Sequence, residues 1–195
     1  ISSNSFFSLN CNSLPKTYVP DDTFEDYLES NGMGDGVSND SVYTMAISSV
    51  TSLNIQTSGS ILDLTGIEDF LLIDDLRLEN HSLSSNLDLS SNTLLTKLIL
   101  TNCSFSSLDL SLLTNLDTLN ISNNGNITSL DISNNTALKY LDCSYLDLTS
   151  LNVSLNTALT DLRCNHLGLT SLDLSTNVFL EKLECEYQTY LNGSW

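Results

Sequence analysis

The apolar positions of this chain recur in pairs two residues apart, and the pairs keep a fixed interval. Leu141-x-Cys143, Leu162-x-Cys164 and Leu183-x-Cys185 follow one another at 21 residues. Midway between them lie Leu130-x-Ile132, Leu151-x-Val153 and Leu172-x-Leu174, likewise spaced by 21. Upstream, the first series extends through Leu53-x-Ile55, Leu76-x-Leu78, Leu98-x-Leu100 and Leu119-x-Ile121, and the second through Leu87-x-Leu89 and Leu108-x-Leu110. On a strand, residues i and i+2 share a face. Each pair therefore points inward, with the residue between its members facing water.

A hydrophobic pattern of this form, repeated every 21–22 residues, predicts a leucine-rich-repeat solenoid over residues 51–187. Such an array buries its core turn by turn against its neighbours. The first series predicts seven short parallel strands, a sheet on the order of 30 Å long at ~4.8 Å per strand. Because the two half-turns read alike, the same pattern predicts strands on the other side as well. The fold class is thus a β-rich solenoid with a small N-terminal helical cap.

That cap is expected over 17–50. In VPDDTFEDYLESNG, Asp22 and Glu25 have capping-box spacing, Phe24, Tyr27 and Leu28 share a helix face, and Gly32 is placed to end the helix. A helix here would cover the open end of the first turn. Residues 34–40 read as a turn-rich loop, and Val42 to Val50 as an apolar, partly helical run. Residues 1–16 read as a leader or linker and 188–195 as a partial end. The array is expected to continue beyond Trp195, and Ile1 in place of Met suits a processed chain.

Charge narrows the function. Twenty-four acidic residues face six basic ones, a net charge of −18. Phosphate binding needs clustered Lys and Arg, so nucleic acid and anionic lipid are not expected partners. No run approaches the ~20 apolar residues of a membrane span. No nucleophile motif, phosphate loop or metal-ligand spacing appears, so an enzyme is not expected.

The run YVPDDTFEDYLESNG, followed by ISSVTSLNI and LDLTGIEDF, resembles the N-terminal part of secreted leucine-rich-repeat proteins of flavobacterial type. The repeats of form SLDLSxNxxLxxLxC resemble the same group, and IEDFLLIDDLRL is similar to internalin repeats. The resemblance covers residues 17–187. It implies an extracellular or surface-attached module for adhesion or recognition, with no enzymatic activity. A structural spacer within a larger surface protein is the alternative.

Several columns invite a chemical reading. Cys143, Cys164 and Cys185 stack on neighbouring strands in a slot that Leu78, Leu100 and Ile121 fill earlier, so they are expected to serve as small apolar core residues. Asn92, Asn135, Asn156 and Asn177 are expected to hold backbone groups where the chain bends. His81 is expected to stand in for such an Asn. On the second series, Asp88, Asp109, Asp131 and Asp173 form an acidic column with Ser90, Ser111, Ser133 and Ser175 in register. Calcium is the candidate ligand there, although no dedicated calcium loop is present; Thr128, Thr149 and Thr170 give a thin case for an ice-binding array. No other cofactor is expected.

The strand series carries five of the six basic residues: Arg77, Lys97, Lys139, Arg163 and Lys182. Stacking would align Asp142, Arg163 and Glu184 in one column, and set Asp75 beside Lys97 and Asp161 beside Lys182 in the next. Tyr140, Tyr145, His166 and Tyr187 add aromatics at the C-terminal end. Exposed aromatics among mixed charges are the chemistry of protein or glycan recognition. The candidate binding residues are therefore Tyr140, Asp142, Tyr145, Arg163, His166, Glu184 and Tyr187. The expected partner is a protein or glycan at a surface, met by a monomeric module of a longer chain.

Overall fold

The computed structural model describes residues 14–83 and 87–186. The cap comes first: strand β1 (Lys16–Tyr18), helix α1 (Asp22–Ser30), strand β2 (Ser41–Tyr43) and the single turn α2 (Thr44–Ile47). Seven strands follow: β3 (Ser52–Ile55), β4 (Asp75–Glu79), β5 (Lys97–Thr101), β6 (Thr118–Asn120), β7 (Tyr140–Asp142), β8 (Asp161–Arg163) and β9 (Lys182–Glu184). They pair in sequence order, β3 to β9, in one parallel sheet. Leu53, Leu76, Leu98, Leu119, Leu141, Leu162 and Leu183 stand directly opposite one another along it. One turn of chain per strand, with that register, is a leucine-rich-repeat solenoid.

The interior is the stack of inward leucines. Leu76, Leu98, Leu119, Leu141 and Leu162 are fully buried, as are Leu78 and Leu100 beside them. Each contributes roughly 1.5–3 kcal/mol relative to an exposed side chain. Cys143 and Cys164 are equally buried in the slot of Leu78 and Leu100. Burial drives both thiols well above their ordinary range. Leu183, on the last strand, is 44% exposed and Cys185 half-buried, because no further described turn packs against them.

In the second series Leu87, Leu89, Leu110, Ile132, Leu151 and Val153 are buried and Leu108, Leu130, Leu172 and Leu174 partly so, but the series forms no strands among the described residues. Its middle residue explains why. The N–H of Ser90 donates to Asp88 Oδ1 at 2.9 Å, Ser111 to Asp109 at 2.9 Å, Ser133 to Asp131 at 3.0 Å, and Ser175 to Asp173 at 2.9 Å. Ser154 does the same to Asn152 at 3.0 Å. A side chain that captures the N–H two residues on makes an Asx turn and withdraws that group from any ladder. Leu-x-Leu alternation marks burial here, not pairing.

The buried asparagines close the same bend. Asn135 Nδ2 donates to the carbonyls of Leu110 and Leu113 at 3.0 and 2.8 Å, and Asn156 Nδ2 to those of Ile132 and Asn135, both at 2.9 Å. Asn92 and Asn177 repeat the arrangement. On the opposite corner, Asn124 Oδ1 accepts from Cys103 N at 2.8 Å, and two turns earlier His81 Nδ1 accepts from Ile61 N at 3.1 Å. His81 thus does the work of an asparagine. Burial lowers its pKa.

The cap differs from expectation in three details. The helix N-cap is Asp21, whose Oδ1 accepts from Phe24 N at 3.0 Å, one residue before the expected Asp22. Its other oxygen takes the N–H of Leu62 at 2.7 Å, so the cap also ties the helix to the array. Glu25 does not reach back to the cap. It is buried and accepts from the N–H groups of Asn39, Asp40 and Ser41, shaping the loop before β2. At the other end Gly32 has φ +72°, and Met33 N donates to Leu28 O as Gly32 N does to Glu29 O, a Schellman close. β1 pairs antiparallel with β2, Thr17 opposite Val42, so Lys16 of the segment read as a leader belongs to a strand.

Candidate functional site

The outward side chains of the sheet form columns whose chemistry changes along the array. The residue between each inward pair runs Asn54, Arg77, Ile99, Asn120, Asp142, Arg163, Glu184. The preceding column ends with Tyr140, Asp161 and Lys182 in register. Expected alignments are therefore present, but contacts follow reach as well as register. Arg77 turns to Asp75 on its own strand, Nε to Oδ1 at 3.0 Å and Nη2 to Oδ2 at 3.0 Å, in place of the expected Asp75–Lys97 pair. Residues i and i+2 share the outward face, and the guanidinium spans them.

At the C-terminal end the charges form a network. Arg163 Nε lies 3.3 Å from Asp161 and 3.9 Å from Glu184, and Lys182 Nζ lies 2.6 Å from Glu184 and 3.9 Å from Asp161. The Arg163 guanidinium sits over the Tyr140 ring, 5.3 Å from its centroid. Partial burial, with Asp142 adding to it, raises the Tyr140 phenol pKa. The lysine beside Glu184 lowers that carboxyl's pKa. Asp142 stands opposite Arg163, but its Oδ1 accepts from Ser144 N at 3.1 Å and serves the local bend. Lys182 and Asp161, which the sequence pairs only as a bland charge couple, belong to the same cluster.

Just beyond the strands the chain turns through a left-handed residue in five successive turns: Asn80 (φ 63°), Asn102 (55°), Asn123 (61°), Tyr145 (60°) and His166 (54°). Each donates its N–H to a carbonyl of the next turn: Thr101, Ser122, Ser144, Asn165 and Glu186. The corner backbone is thus the same throughout. Asparagine and histidine tolerate this conformation, whereas a tyrosine there is an outlier. The first two asparagines bond to each other, Asn102 Nδ2 to Asn80 Oδ1 at 2.9 Å. The last two positions instead stack their rings, Tyr145 on His166, with centroids 4.4 Å apart and planes 16° from parallel. Both side chains are exposed. The period of the sequence does not reveal a positive φ; the asparagines at 80, 102 and 123 are the signal that would have marked this column. Tyr187, a further 21 residues on, lies outside the described residues.

Asp88, Asp109, Asp131 and Asp173 each lie in the outer bend of their own turn. Each carboxylate is occupied by its own serine, which lowers its pKa. Among the described residues no three metal-ligating side chains come together.

No family model matches the chain, and no curated protein does. Solved structures do. The functional domain of InlJ from Listeria monocytogenes, which includes a cysteine ladder, has a TM-score of 0.61 and 26% identity over 92% of this chain and 50% of that one. The Listeria internalin InlF gives 0.68 at 20% identity, over 88% of this chain and 58% of that one. A leucine-rich-repeat protein of Leptospira interrogans gives 0.57 at 15% identity, over 74% and 45%. The chain spans about half the length of these solved chains. It is similar to bacterial internalin-like leucine-rich-repeat proteins.

Proposed function

We propose that the chain is a secreted or surface-attached bacterial recognition module that binds a protein partner through the C-terminal third of its strand face, without catalysis of its own. The carrying observation is the stacked pair of Tyr145 and His166 in left-handed corners that earlier turns fill with asparagine. A left-handed tyrosine costs about 1–2 kcal/mol, and an aromatic pair returns about 0.5–1.5 kcal/mol. The fold alone therefore has no need of rings there. Beside them lie Tyr140 and Arg163, residue types that anchor protein interfaces.

Recognition would follow from a rigid face that needs little ordering on binding. The charge of −18 favours neutral or cationic partners and steers them inward. A non-catalytic role is supported by the histidines: His81 holds a backbone N–H and His166 is stacked. Among the described residues no helix is long and apolar enough to cross a membrane. Surface location rests on the likeness to internalins and on the N-terminal motifs of flavobacterial type.

The test is an array of extracellular proteins probed with the wild-type chain, then with Tyr145→Ala and Arg163→Ala. Binding to a hit should weaken about tenfold or more in each variant. Undiminished binding in both would remove the site.

A further inference from the structure

A second concave region lies at the other end of the molecule, between helix α1 and the loop leaving β3. It is an open groove of about 600 Å³, a size within the ~300–1,000 Å³ of small-ligand sites. Its walls carry three side-chain amides (Asn31, Asn54 and Gln56), four Ser or Thr hydroxyls and the Tyr27 ring. Among the described residues Asp26 is the only charged side chain lining it, and no Lys or Arg does.

The frame is fixed. Asn54 is held outward by β3, in register with Arg77 of β4. The Tyr27 hydroxyl donates to the Asn54 carbonyl at 3.2 Å and ties the helix to the strand. Thr57 Oγ1 donates to Gly59 O at 2.7 Å and closes the loop. A Cβ at Gly59 would come within 3.1 Å of the Thr23 side chain, so glycine lets the loop approach the helix. The polar heads are left available. The side chains of Asn54 and Gln56 have no hydrogen-bond partner among the described residues. Asn31 uses its Nδ2 on Tyr27 O, which leaves its oxygen to accept. Asp26 takes the Ser38 hydroxyl on Oδ1, which leaves Oδ2.

Amides and hydroxyls both give and accept hydrogen bonds, as every sugar hydroxyl does. An aromatic wall suits the apolar face of a pyranose. A lone carboxylate without a cation disfavours anionic ligands. We infer that this groove binds a short neutral oligosaccharide, with Asn54 and Gln56 as its principal hydrogen-bonding residues and Tyr27 as its apolar wall. The site is separate from the strand-face cluster and stands or falls independently of it.

The experiment is calorimetric titration of the full chain with maltotriose, cellotriose, mannotriose and triacetylchitotriose, and with sialyllactose as the anionic control. At least one neutral trisaccharide should bind with Kd below about 1 mM, and sialyllactose should bind more weakly. Asn54→Ala with Gln56→Ala should weaken that binding about tenfold or more with melting temperature unchanged, while Tyr145→Ala leaves it intact. The inference is overturned if no neutral trisaccharide binds, if sialyllactose binds best, if the double variant binds as the wild type does, or if these changes affect only a protein partner.

Discussion

Tyr145 and His166 stack at 4.4 Å although both hold left-handed backbone, and the turns before them place asparagine in that conformation. Stability and recognition should separate at this corner. Tyr145→Asn relieves strain and loses the stack, two effects of about 1 kcal/mol and opposite sign. Unfolding in urea should place the variant within about 1 kcal/mol of wild type. A loss several times larger would mean the ring is structural.

The buried amides predict the opposite behaviour. Asn135 satisfies two carbonyls that lie away from water. Removing it in Asn135→Ala strands both, at about 1–3 kcal/mol for each buried group left unpaired. The exposed Asp131 holds one N–H at the surface, so Asp131→Ala should cost well under half as much in the same urea experiment.

Acid should weaken the fold through the outer bends. Serine hydrogen bonds lower the pKa values of Asp88, Asp109, Asp131 and Asp173. A carboxylate depressed in the folded state stabilises above its unfolded pKa of about 3.9 and loses that contribution as pH falls through the folded value. Stability should hold from neutral pH to about 5 and decline below about 4. Asp131→Asn keeps the bend, as Asn152 does, and should flatten the decline in melts at stepped pH. Chelator and added calcium should leave the melting temperature unchanged; a calcium-dependent rise abolished by Asp109→Asn would restore the ion to this column.

The thiols should rank by burial. Burial pushes Cys103 up to about 11 and Cys143 and Cys164 higher still, whereas Cys185 is half-buried. Native labelling followed by peptide mapping should modify Cys185 before Cys103, Cys143 and Cys164. Cys164→Val, a near volume-conserving change, should cost under about 1.5 kcal/mol.

The strand register was legible because leucine at a fixed interval leaves one way to stack the turns, from Leu53 to Leu183. The cysteine slot and the role of His81 followed from the same interval. Other features depend on hydrogen bonds that hydrophobic pattern does not encode. Leu130-x-Ile132 alternates like a strand, yet Asp131 captures the Ser133 N–H and bends it. The capping-box spacing pointed to Asp22, yet the cap is Asp21, which also takes the Leu62 N–H. The pairing of Lys16–Tyr18 with Ser41–Tyr43 joins two short segments separated by a helix, with no repeat to announce it. In the candidate site, the column of Asp142, Arg163 and Glu184 was readable, whereas the ring stack needed the backbone angle at Tyr145.

Quantitative binding of Tyr145→Asn and wild type to one protein recovered from the extracellular array, with both melts recorded, tests the recognition surface most directly. The account predicts affinity reduced about tenfold or more in a variant that melts as the wild type does. Equal affinity with an unchanged melt would contradict it.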